Sequence, residues 1–126
     1  MAYGDVGGPV TELILTCKTP ATGDVAINKG DAVKLSGGYV VTNATSAEDP
    51  VIGQAMADAA ENAVAVPVKV RGVCVFTYTG SAPTADGVAG VLASDTAGAV
   101  KAPASGNGSG RNLKVDTAAS EVHVLL

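Results

Sequence analysis

Hydrophobic and polar residues alternate with a period of two along most of this chain. Val64, Val66, Val68 and Val70 alternate with Ala65, Pro67, Lys69 and Arg71, the strongest strand signal present. Side chains two apart lie on one face of a strand, so this pattern predicts a half-buried strand rather than a helix. Residues 11–17 alternate as well, with Leu13, Leu15 and Cys17 on one face and Glu12, Ile14 and Thr16 on the other. The chain closes on residues 112–116, a polar turn at 117–120 and a last run at 121–126. There Leu113 and Val115 share one face, as do Val122, Val124 and Leu126, which predicts an antiparallel hairpin with one buried side. Because Leu126 is in phase, the C-terminus is expected to be tied into a sheet.

Between these runs the signals are shorter. Val25-Ala26-Ile27 begins a second strand, Lys29-Gly30-Asp31 punctuates it, and residues 32–35 continue in extended form. Gly37-Gly38 predicts a tight turn, since glycine accepts the positive φ such hairpins need. Residues 39–42 are the return strand, and 43–50 read as a polar loop. Residues 54–61 could form a short helix on propensity alone. A strand to about Ala57 followed by a turn is the preferred reading, because the β pattern resumes at Ala63. Pro67 cannot donate to a ladder, so it should sit at an edge or a non-pairing position. Gly72 marks a bulge or bend before a strand at 73–79. Whether Val73 and Val75, or Cys74, Phe76 and Tyr78, are buried there depends on whether Gly72 shifts the register. Residues 81–87 are turn-rich, 88–93 and 99–102 are short apolar pieces around a turn at 95–98, and 104–110 is the most flexible internal loop expected. No repeat is evident. About eight to ten short strands, with turns every 8–12 residues, predict an all-β fold, a small barrel or sandwich.

Composition narrows this picture. The 126 residues suit one domain, residues 11–126, preceded by a Gly/Pro-rich segment at 1–10. That segment is either a leader with little to bury or an arm that orders on a partner. Hydrophobic residues reach 47% while aromatics are only 3%, with no Trp, so the core must be built mainly from Val and Ala. A buried Val or Leu contributes roughly 1.5–3 kcal/mol and Ala less. So thin a core leads us to expect added stability from burial against partners. The net charge of −4 and the scattering of eight Lys and Arg disfavour direct nucleic-acid binding, which rests on phosphate neutralisation. Phe76 and three Tyr are too few for base stacking. No apolar run approaches the ~18 residues of a membrane span, and the first residues lack the basic and apolar regions of a secretory signal. Two cysteines make no disulfide framework, so synthesis in a reducing cytosol is expected.

Candidate chemistry is sparse, and no catalytic, cofactor or metal site is expected. His123, the one histidine, alternates out of phase with Val122 and Val124 and should face solvent or a partner. No metal-ligand spacing accompanies it. Cys17 and Cys74 lie in predicted strands and should pack as small hydrophobes. Gly106-Asn107-Gly108-Ser109-Gly110-Arg111 lacks the Lys-Ser/Thr that closes a phosphate loop. Glu48-Asp49 and the Asp58/Glu61 pair read as solvated turn carboxylates, since no loop offers a Ca²⁺ ligand string. Asn43-Ala44-Thr45 matches a glycosylation sequon but reads as a turn.

The order of these features resembles a known family. Ala26-Ile27-Asn28-Lys29-Gly30-Asp31-Ala32-Val33-Lys34-Leu35 is similar to its early "apolar, Lys-Gly-Asp, Val" strand pair. Val51-Ile52-Gly53-Gln54-Ala55, followed by the valine alternation at 64–70 and Gly72-Val73, is similar to its centre. Residues 110–126 are similar to its closing hairpin, although Arg111-Asn112 after Gly110 is atypical. The family is the small capsid decoration, or cement, proteins of tailed bacteriophages and prophages. The resemblance covers nearly all of residues 11–126 and rests on turns and alternations; the Lys-Gly-Asp-x-Val piece is shared with other β-clip folds. It implies a compact β-barrel of the "β-tulip" or β-clip kind on the outer capsid surface of the virion, made in the bacterial host cytoplasm. It further implies a homotrimer at three-fold positions, with the phage major capsid protein as partner and an extended N-terminal arm touching the shell. Ala2, Tyr3, Gly4, Asp5, Val6, Gly7, Gly8, Pro9 and Val10 fit that arm in position and composition. Two rival readings are a virion or cell-surface adhesion module and a small β enzyme domain using Asp and Cys side chains.

Overall fold

The computed structural model describes residues 12–43 and 46–126. These residues form ten strands. They are β1 (Leu13–Lys18), β2 (Ala32–Gly37), β3 (Val40–Thr42), β4 (Gly53–Ala55), β5 (Ala65–Arg71), β6 (Val73–Thr77), β7 (Leu92–Ala93), β8 (Val100–Lys101), β9 (Arg111–Asp116) and β10 (Glu121–Leu125). The fold is all-β, as the alternation predicts. The ambiguous stretch at 51–62 carries the short strand β4 and no helix.

Five strands close into a barrel in the order β1-β3-β2-β4-β5, with β5 returning to β1. The β1–β5 seam is the longest, running antiparallel from Leu13↔Arg71 to Lys18↔Ala65. Leu15, Cys17, Val64, Val66, Val68 and Val70 turn inward there, and the barrel core adds Ile27, Val33, Val41, Ala55 and Ala59. Pro67 lies in an interior strand of the barrel but at a harmless position. Its carbonyl accepts from Met56 N–H, so its missing N–H also points toward β4, just past the last β4–β5 pair at Ala55↔Val68. Gly53 marks the closest approach in that region, because a Cβ there would run into the Lys69 carbonyl.

A three-stranded sheet, β6-β10-β9, and the β7-β8 pair enclose a second core. It holds Cys74, Phe76, Tyr78, Val91, Ala93, Val100, Val122 and Val124, together with Ala32 and Val51. Neighbouring residues of β2 point to opposite faces, so Val33 enters the barrel core and Ala32 the second one. One strand of barrel wall thus serves both cores, a way to gain burial from small side chains. Gly72, at φ +118°, bends the chain between β5 and β6, and the register after it buries Cys74, Phe76 and Tyr78.

Two polar side chains knit the units together. Gln54 is 9% exposed, and its Nε2 donates to the carbonyls of Gly30 (3.1 Å) and Val75 (2.7 Å). Lys69 donates to the Val73 carbonyl at 3.3 Å and pairs with Glu12 at 3.2 Å. Both therefore satisfy carbonyls along the β6 edge from the barrel side.

Several sequence expectations need correction. The closing hairpin forms, but its register shifts between His123 and Val124: His123 faces Lys114 while Val124 faces Asn112. Leu113 is the extra residue of a bulge, is 52% exposed, and does not share the buried side with Val115. Asn112 is buried in its place, its Nδ2 donating to the carbonyls of Thr84 and Gly90. Leu13 is likewise exposed, at 43%. Residues 25–27 begin no strand; Ile27 makes one isolated bridge to Ala59. The turn after β2 is Gly38–Tyr39, and its positive φ of 58° falls on Tyr39 rather than on a glycine. The loop at 104–110 is stitched down: Gly90 N–H donates to Asn107 O, and Val91 bridges Ser109.

Candidate functional site: the open end of the barrel

The barrel closes unevenly. On its side away from β5, β1 meets β3 at one register pair only, Lys18↔Val40, backed by a hydrogen bond from Lys18 N–H to Tyr39 O at 2.9 Å. The β2–β3 hairpin turns back at Gly38–Tyr39, so the earlier residues of β1 overhang its tip. Beneath the overhang lies a cleft of about 290 Å³ lined by Leu15, Cys17, Leu35, Tyr39, Ile52 and Val70, with Gly38 at its rim. Its accessible walls are apolar.

Tyr39 dominates this end. It is 66% exposed and adopts a left-handed backbone that costs a non-glycine residue roughly 1–2 kcal/mol. The hairpin's need for positive φ at the second loop position holds it there, and its ring is presented beside Leu35, itself 50% exposed. An aromatic side chain with few rotatable bonds on an apolar surface is the usual anchor of a protein contact.

The charged groups are structural in their geometry. Lys34 pairs with Asp49 at 2.8 Å, and Lys101 pairs with Glu48, so the segment at 46–50 is pinned to the barrel and to β8. Lys101, followed by the Ala104 N–H, lowers the Glu48 carboxyl below its ordinary range; Lys34, followed by the Ser46 N–H, does the same for Asp49. Asp86 is lowered by the N–H groups of Ala89 and Val88, which cap a turn. Burial pushes both cysteine thiols up; at Cys74, Lys69 opposes that shift and Glu12 adds to it. The two cysteines are free, buried and in different cores, which agrees with their reading as small hydrophobes. His123 is half-buried on β10, opposite Val75 and Lys114. A second, more polar cleft of about 430 Å³ lies between the Lys29–Asp31 turn, β6 and residues 96–99. Among the described residues no group of three or more His, Cys, Asp and Glu is placed to hold a metal ion. Nor is any helix among them long and apolar enough to cross a membrane.

The arm residues Ala2 to Val10 lie outside the described residues. The strand they precede, β1, forms one wall of the apolar cleft. Sequence reasoning missed the cleft. Its walls come from four separate chain segments, and the available signal, Tyr39 beside Gly37-Gly38, reads locally as an ordinary turn.

The architecture therefore defines the class as a small all-β barrel protein with an appended three-stranded sheet. In comparisons with known proteins, no family model and no curated protein matches this chain.

Proposed function

We propose that this chain is a non-enzymatic capsid decoration protein of a tailed phage, which binds the outside of the expanded head across junctions between major capsid subunits. The observation that carries the reading is the apolar end of the barrel, where Leu35 and Tyr39 stand exposed beside the cleft. Such a surface suits contact with another protein. The order of sequence features that resembles the decoration family supplies the partner.

Mechanistically, a ligand that binds the expanded shell better than the unexpanded one shifts stability toward the expanded form by mass action. Trimers at three-fold positions would let three weak contacts act together, because linked sites raise effective concentration. The arm at residues 2–10 would add contact along the shell.

Co-sedimentation of the purified chain with undecorated shells, unexpanded and expanded, tests this. Saturable binding to expanded shells at a fixed ratio to the major capsid protein is expected. Binding to neither form would overturn the reading and make the adhesion module the next one to test. Unchanged shell binding after deletion of residues 1–10 would remove the arm alone.

A further inference from the structure

We propose that the open end of the barrel is part of one continuous groove, which takes an extended segment of another protein, apolar in its middle and acidic at both ends. Such a role rests on this end being a protein-contact surface, as the capsid reading has it, and adds the chemistry of the segment that fits.

Adjoining clefts make the groove. The apolar cleft beneath the overhang shares Cys17, Gly38 and Tyr39 with a cleft of about 410 Å³, which is also lined by Thr16, Lys18 and Ala65. It shares Ile52 and Val70 with another of about 400 Å³, which reaches Arg71, Gly110 and Leu126. The groove therefore runs from Lys18 past Tyr39 and across the barrel mouth to Arg71. Its course follows the straight β1–β5 seam, in which Lys18 pairs with Ala65 and Leu13 with Arg71. From Ala65 to Arg71 is six residue steps, roughly 20 Å at the rise of a strand. An extended chain of seven residues covers that span, and every second side chain faces the groove.

Charge selects the occupant. The barrel strands β1 to β5 carry Lys18, Lys34, Lys69 and Arg71 and no Asp or Glu. Lys34 is held by Asp49, and Lys69 by Glu12. Lys18 and Arg71 are exposed, and among the described residues no carboxylate pairs with either. The two uncompensated cations of the barrel are thus the two that line the ends of the groove, in a protein whose net charge is −4. Between them the exposed side chains are Leu35 and Tyr39. A segment with a carboxylate near each end and aliphatic side chains between is complementary along the whole length. A wholly apolar segment leaves both cations unanswered, and a basic one is repelled.

NMR titration of the full chain with acetyl-Asp-Ser-Leu-Ser-Leu-Ser-Asp-amide tests the groove. Binding with a Kd of about 1 mM or tighter is expected, with shifts concentrated at Leu35, Tyr39, Ile52 and Val70. The same peptide with Lys in place of Asp should bind at least about tenfold more weakly, because attraction becomes repulsion at both ends. Lys18→Glu and Arg71→Glu should each weaken binding of the acidic peptide about fivefold. Lys114→Glu, the same charge change at an exposed site on β9, should not. All three side chains are exposed, so circular dichroism should match the parent; if one groove variant misfolds, the other carries the test. No shift at the groove with peptide up to about 10 mM overturns the proposal. So does equal binding of the basic peptide, or equal weakening by Lys114→Glu. Co-sedimentation with shells separates the two readings. Shell binding without peptide binding overturns the groove assignment alone, while peptide binding without shell binding supports the groove and overturns only the capsid reading.

Discussion

Gln54→Glu converts the joint between barrel and sheet into a pH-dependent one. Its amide donates to two carbonyls, Gly30 O and Val75 O, from a position 9% exposed. A carboxylate of the same shape can donate to neither. Facing two acceptors in a desolvated site, the introduced carboxyl favours its neutral form, so its folded pKa lies above its unfolded value. If it stays protonated in the folded state at pH 7, folding must take up a proton against an unfolded pKa of about 4.3, which costs roughly 1.36 × 2.7 ≈ 3.7 kcal/mol. The protonated group replaces two donors by one, and losing one hydrogen bond adds about 1 kcal/mol. The expected loss is therefore about 4–5 kcal/mol at pH 7, a large share of the 5–15 kcal/mol of a typical domain. The sign follows from linkage: the proton-uptake part of the penalty is absent below the unfolded pKa, grows by about 1.36 kcal/mol per pH unit above it, and levels off at the folded pKa, while the lost hydrogen bond remains at every pH. Urea unfolding of variant and parent from pH 4 to pH 8, taken as a difference, removes the titration of the native carboxylates. A difference that does not change with pH, or one below about 1 kcal/mol at pH 7, would refute the assignment of Gln54 as the buried donor to both carbonyls.

Three further outcomes follow from the same structure. Gly90→Ala should cost more than about 3 kcal/mol, because a Cβ there collides with the carbonyls of Ser109 and Gly110; thermal melting of the variant checks this. Tyr39→Gly should leave stability unchanged or raise it by up to about 1 kcal/mol, since the relief of left-handed strain is partly offset by unfolded-chain entropy. It should nonetheless weaken shell binding, so equal binding by parent and variant would remove Tyr39 as an anchor. The Glu48 and Asp49 carboxyls have depressed folded pKa values, so their stabilising pairs are present above the unfolded carboxylate range and are lost as pH falls through the folded values. NMR titration should place both midpoints below the ordinary carboxylate range.

Period-two alternation carried most of the secondary structure. The valine run of β5, the β10 strand and the all-β class follow from side chains two apart sharing a face, a local property of the chain. The strand preference at 51–57 and the non-pairing place of Pro67 were legible for the same reason. The loss of an N–H is written into the residue type itself.

What the sequence left open depends on register and on contacts between distant segments. The bulge that ejects Leu113 and buries Asn112 is decided by the partner strand β10, whose pairing shifts by one residue. The burial of Cys74 and Phe76 over Val73 and Val75 depends on the bend at Gly72, and the burial of Gln54 on carbonyls supplied by Gly30 and Val75. Leu35, Tyr39, Ile52 and Val70 form one apolar cleft only because the barrel brings four strands' ends together where the β2–β3 hairpin stops short. Composition and alternation determined that this protein is a Val/Ala-rich β fold. Only the tertiary arrangement decided which edge stays open and which apolar side chains meet at it, because no local pattern encodes which strands become neighbours.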